Sequence, residues 1–155
     1  MKLLDSLAEG YKLRLEKLMI CCDGFEEEGL WDKEELGEMD SYLLNELMSV
    51  VMPFVAIDGK VTEEETEYVN RIFGTEYSVR DLKNICMDAA QEAEEIIRVR
   101  IQETSQLLKK IDAEFEEKYR DMYFTLCEII EMSDSELVIE EAALLKLLKE
   151  TVNEV

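Results

Sequence analysis

The chain has 155 residues, 47% of them hydrophobic and 35% charged, which suits one folded domain with a real core and excludes a disordered segment. Seventeen lysines and arginines stand against 38 aspartates and glutamates, a formal net charge of −21, so nucleic-acid phosphates and anionic lipid surfaces are repelled while divalent cations and basic proteins are attracted. Histidine is absent, which excludes every Ser–His and Cys–His nucleophile.

One proline, six glycines and abundant Leu, Glu, Met and Ala favour helix almost throughout. Leu3, Leu4, Leu7, Tyr11, Leu15 and Leu18 recur at helical spacing and predict a first helix ending near Cys21-Cys22-Asp23-Gly24, with Gly10 as its weak point. Asp5, Glu9 and Glu16 interrupt that stretch, so it reads as a packing helix rather than a leader. No signal peptide and no apolar run of about 18 residues is visible, and the expected location is the cytoplasm without membrane insertion. An acidic loop, Gly24 to Gly29, follows, with Trp31 expected to anchor it to the core.

The next helix is predicted from Glu38 to Ile57, with Leu43, Leu47, Val50, Val51 and Phe54 on one stripe. Pro53 lies inside it, leaves the Ser49 carbonyl without its donor, and should kink or break the helix. A helix from Thr62 to Phe73 stops at Gly74, and Ser78 with Asp81 three residues on reads as the start of another. From Ala93 to Met132 lies a helical region too long for one ordinary helix, with a turn expected within 102–111 or 113–117. The last helix carries Leu144, Leu145, Leu147, Leu148 and Val152. No stretch alternates as a strand does, so the fold class is all-α: a bundle of about seven helices in a single domain, residues 1–155, with 1–37 an N-terminal helix and acidic loop.

The joint Ala56-Ile57-Asp58-Gly59-Lys60-Val61-Thr62-Glu63-Glu64-Glu65 is the most chemistry-like stretch, and a shift of 76 residues lays it on 132–141. Asp58 then meets Asp134, Val61 meets Leu137, and Glu64-Glu65 meet Glu140-Glu141. The flanks agree in character, with Val50 on Leu126, Phe54 on Ile130, Val69 on Leu145 and Ile72 on Leu148. Two helix–joint–helix units sharing one core is the architecture this echo predicts. A calcium loop is excluded: with Gly59 at its sixth position, the first and third positions are Phe54 and Ala56, which offer no side-chain oxygen. Gly59 suits a helix stop, Thr62 an N-cap, and Glu65 the return half of a capping box. A carboxylate used as a cap does not readily ligate a cation with the same oxygens.

The stretch Asp58-Gly59-Lys60-Val61-Thr62-Glu63-Glu64-Glu65 resembles the joint of the tellurite-resistance TerB-like family, Asp-Gly-x-hydrophobic-Ser/Thr-x-x-Glu, in full. Asp134-Ser135-Glu136-Leu137-Val138-Ile139-Glu140-Glu141 resembles it in part, with Ser135 for the glycine and Val138 for the hydroxyl cap. The likeness covers 38–90 well, 120–150 loosely and the first 35 residues not at all. It implies paired helical bundles, a role in stress or tellurite resistance, protein assemblies as partners, and divalent metal at Asp58 and Glu65, with Asp134 and Glu141 as the second pair. Carboxylates and carbonyls as ligands would select Ca²⁺ or Mg²⁺.

Zinc is disfavoured: the cysteines stand at 21, 22, 86 and 127 with no Cys-x-x-Cys. Cys86 and Cys127 fall on apolar stripes and read as core, as do Cys21-Cys22 at a helix end. Met39 and Met132 read as core filler, or else as exposed contacts for a partner groove. Glu92, Glu94, Glu95, Glu114, Glu116 and Glu117 read as solvated helix faces. The sequence therefore predicts a non-enzymatic binding or scaffold module with a protein partner. A divalent cation at the acidic joints sharpens that reading. An acidic adaptor that docks a basic or helical partner without metal is its competitor.

Overall fold

The computed structural model describes residues 2–56, 61–133 and 139–154, with side chains except at 2–7, 56, 132 and 133. All elements among these residues are helices: α1 (Lys2–Glu27), the single turn α2 (Lys33–Leu36), α3 (Met39–Ala56), α4 (Glu63–Phe73), α5 (Val79–Glu95), a π turn (Ile96–Arg100), α6 (Ile101–Ile111), α7 (Ala113–Ser133) and α8 (Ile139–Glu154). The π turn joins α5 to α6 without a gap, so the described residues form seven helical rods, as the sequence predicts.

Local chemistry explains where the rods end. α1 outruns its expected stop: it passes Gly24 and closes at Gly29, whose φ of 73° is the left-handed geometry glycine adopts without strain. The Leu30 amide donates to Phe25 O and the Gly29 amide to Glu26 O, a Schellman pair that satisfies the last carbonyls. Trp31 reaches the core as predicted, but it pins the turn that follows rather than 24–29, most of which is helix. It is buried, its Nε1 donates to Gly37 O at 2.8 Å, and its ring meets Tyr42 edge-on at 5.2 Å. Glu26 reaches across that turn, and its Oε1 accepts from the Met39 amide at 2.5 Å, capping α3 from another helix.

Pro53 does not break α3, which continues to Ala56. It sits in the last turn, where few later residues depend on an unbroken ladder. The long region after Ser78 also differs from expectation. The turn falls between the two expected windows, at Asp112, whose backbone is extended and whose Oδ1 accepts from the Phe115 amide at 2.9 Å to start α7. The capping predictions around α4 and α5 hold. Thr62 is extended and its Oγ1 accepts from the Glu65 amide at 3.1 Å, Gly74 closes α4 with φ 67°, and Ser78 Oγ accepts from the Asp81 amide at 3.1 Å.

Between α4 and α5, Asn70 clamps the link. Its Oδ1 accepts from Thr75 Oγ1 at 2.8 Å and the Tyr77 amide at 2.9 Å, and its Nδ2 donates to Tyr77 O at 2.9 Å. Asn70→Ala strips all three partners from a partly buried turn, and we expect a loss of about 1–3 kcal/mol in urea unfolding.

In the packed bundle α3 lies chiefly against α5 and α1, α1 against α7, α6 against α7, and α8 against α7 and the π turn. Leu43, Leu47, Tyr11, Ile97, Leu108, Tyr119 and Tyr123 belong to one continuous core, and Met39 is fully buried there rather than offered to a partner. Each aliphatic side chain among them contributes about 1.5–3 kcal/mol by leaving water. The 76-residue echo can be laid on the observed elements. It lays Met39, where α3 starts, on buried Phe115, and Glu63, where α4 starts, on Ile139, where α8 starts. It also pairs buried Val50, Phe54 and Val69 with buried Leu126, Ile130 and Leu145.

Candidate functional site

Of the four joint carboxylates, Asp58 and Asp134 lie outside the described residues. Glu65 sits in the first turn of α4 and takes part in the cap: the Thr62 hydroxyl donates to Glu65 Oε1 at 3.0 Å while the Glu65 amide donates to Thr62 Oγ1. Burial first and the Glu65 charge second push the Cys86 thiol of α5 up to about 11. Glu141 is buried in the first turn of α8. The main neighbours of α4 are α1, α3 and α5, whereas those of α8 are α7, α6 and the π turn. Among the described residues no group of three or more Asp, Glu or Cys side chains could hold a metal ion. Of the two described carboxylates, Glu65 is engaged in a cap.

The cysteines behave as packing residues. Cys22, Cys86 and Cys127 are buried, Cys86 Sγ lies 3.6 Å from Met52 Sδ, and burial pushes the Cys22 and Cys127 thiols up to about 12 and about 11. A thiol raised this far is protonated at neutral pH and a poor nucleophile.

The interior holds two carboxylates that sequence reasoning missed or misplaced. Glu46 on α3 is 1% exposed; its Oε1 accepts from Thr104 Oγ1 at 2.9 Å and its Oε2 from Tyr119 OH at 2.8 Å. Tyr119 OH is in turn 2.8 Å from Tyr123 OH, so with Tyr119 donating to Glu46, Tyr123 donates to Tyr119. Burial raises the Glu46 carboxyl above its ordinary range, outweighing the two hydroxyl donors and the Arg100 charge that act the other way. Glu116 on α7, expected to be solvated, is also 1% exposed: Ser105 Oγ donates to its Oε1, and Arg120 Nε lies 2.6 Å from the same oxygen without aligning its N–H on it. Adjacent hydroxyls on α6, Thr104 and Ser105, thus hold one buried carboxylate each, just beyond the π turn. Nothing in this cluster resembles a nucleophile with its base. It ties α3, α6 and α7 together as a polar core network.

Two surface features remain. Along α5, Leu82, Cys86 and Ala93 are buried, and the opposite flank is open. Asp81, Ile85, Asp88, Glu92 and Glu95 follow one another at helical spacing on that flank, all exposed, and exposed Val99 of the π turn extends it. Ile85, expected in the apolar stripe, lies at the edge of the narrow strip that α5 buries. None of the four acids has a basic partner within the described residues.

The second feature is a cavity of about 510 Å³ between α1 and α7. Leu18, Met122 and Phe124 supply apolar wall, while Arg14, Lys17 and Lys118 bring three cations to its edge. Arg14 is held in place by Thr125, whose Oγ1 accepts from Nη1 at 2.5 Å. Its lining residues on the two helices are more than 90 positions apart in sequence, so only the packing of α1 on α7 reveals it.

Among the described residues no helix is long and apolar enough to cross a membrane. Compared with family models, curated proteins and solved structures, the chain finds no match.

Proposed function

We propose that the chain is a non-enzymatic binding or scaffold module, an acidic helical adaptor that docks a basic amphipathic partner without metal. The observation that carries this reading is the open flank of α5, lined by Asp81, Asp88, Glu92 and Glu95 with Ile85 between the first two. Acids without local counter-charges beside an exposed apolar side chain are what a Lys/Leu-type helix needs: steering from the charges and a small dry contact at the centre. The resemblance of the Asp58–Glu65 joint to TerB-like proteins supports a stress-related setting. The divalent-cation version draws on the same resemblance, but the capping contacts of Glu65 favour the metal-free one.

The test is a titration with a synthetic Lys/Leu amphipathic helix. Binding should weaken about tenfold from low to physiological salt, ignore chelator, and fall about tenfold further in Asp88→Lys/Glu92→Lys. The control reversal Glu114→Lys/Glu117→Lys on α7 should leave it close to wild type. Equal losses in both variants would reduce the effect to net charge and overturn the adaptor reading. A complex abolished by chelator, or a calcium-induced rise in Tm that Asp58→Ala removes, would favour the cation reading.

A further inference from the structure

We propose that the groove between α1 and α7 is a binding site for a small organic monoanion, a carboxylate-type head on an apolar body. This site lies on different helices from the α5 flank and does not depend on it.

Acids outnumber bases by more than two to one in this chain, 38 to 17, yet Arg14, Lys17 and Lys118 border one cavity and none forms an ion pair within the described residues. Asp121 and Glu128 also line the cavity and still make no such pair with them. Three cations and two anions leave one positive charge in excess, which favours a singly charged ligand over a phosphate dianion or a polyanion.

Geometry places the head. Phe25 meets Phe115 at 5.0 Å while Arg14 meets Thr125, so α1 and α7 run antiparallel and Cys21 lies towards Lys118. Glu128 is ten residues from Lys118 on the same helix, about 15 Å along its axis. The head therefore belongs between Lys17 and Lys118, where Asp121 still leaves one positive charge in excess, while Arg14, held at the level of Thr125, stands one turn from Glu128. Leu18, Met122 and Phe124 give the body an apolar wall, and the volume is within the range of small-molecule sites. Lys17 is also flanked by Leu13 and Ile20, which leave 57% and 70% of their surface exposed. They extend the apolar track outside the cavity.

The experiment titrates the full chain with 1-naphthoate, 1-naphthyl phosphate and 1-naphthylmethylammonium and follows backbone amide shifts. Naphthoate should shift amides of residues 14–21 and 118–128, and Lys17→Gln/Lys118→Gln should weaken it about tenfold or more while leaving the helical CD spectrum intact. Both lysines are exposed, so the variant tests binding rather than folding. The proposal is overturned if the ammonium probe binds there as well as naphthoate, if the double variant binds unchanged, or if the shifts fall elsewhere. Tighter binding of the phosphate would overturn the monoanion assignment. None of these outcomes bears on the α5 titration, so the two readings fail separately.

Discussion

Glu46→Ala should lower the unfolding free energy by about 3–5 kcal/mol, a large part of what holds a domain of this size together. The change leaves Thr104 Oγ1 and Tyr119 OH without their acceptor and opens a hole beside fully buried Tyr119 and Tyr123. Glu46→Gln keeps the shape, and its amide can accept from one hydroxyl and donate to the other, so at neutral pH it should stay within about 1 kcal/mol of wild type. The pH profile separates the charge from the shape. Burial holds the Glu46 proton more tightly in the folded protein than in the unfolded chain. Stability from this group is therefore fully present below the ordinary glutamate value of about 4.3 and is lost as pH rises through the raised folded value. Gln cannot ionise. Urea unfolding from about pH 4 to about pH 8 should show the wild type losing stability relative to Glu46→Gln across that interval. The comparison cancels the common repulsion among the other acids, and parallel profiles would mean that Glu46 does not titrate with folding.

The features that sequence reasoning reached are those written within a few residues. Thr62, Ser78 and Gly74 act as caps and stops because capping is satisfied within one turn, and Cys86 and Cys127 are core because each sits on its own helix's stripe. The features it missed depend on what lies across the interface. Glu46 stands three residues after Leu43 and four before Val50, squarely on the apolar face of α3, and that position was the available signal. Glu116 carried a weaker one, Arg120 one turn later and the buried Phe115 beside it. Neither position could reveal Thr104 and Ser105, which arrive from α6. Ile85 misled for the converse reason: α5 buries only the strip of Leu82, Cys86 and Ala93, so a residue that fits a broad amphipathic pattern ends up at the edge. The groove was illegible because Lys17 and Lys118 read as ordinary surface lysines until α1 and α7 are set side by side.

Glu116→Ala is the companion case, and its interest lies in how much the partners return. Ser105 Oγ and Arg120 Nε both address Glu116 Oε1, and Arg120 is itself only about a quarter exposed. Removing the carboxylate alone leaves a partly buried guanidinium beside an unpaired hydroxyl, and we expect a loss of about 3–5 kcal/mol. Replacing the pair together, as Glu116→Met/Arg120→Met, removes both desolvated charges and fills the space with flexible apolar chains. It should recover most of that loss, to within about 1 kcal/mol of wild type. A double-mutant cycle by urea unfolding measures the coupling directly, and about 2 kcal/mol or more is expected for two groups sharing one buried contact. Additive losses would show that Arg120 reaches water without help from Glu116, so that the carboxylate is held by Ser105 alone. In that case Ser105→Ala should be the more damaging single change on the α6 side, because it removes the last donor from a buried carboxyl.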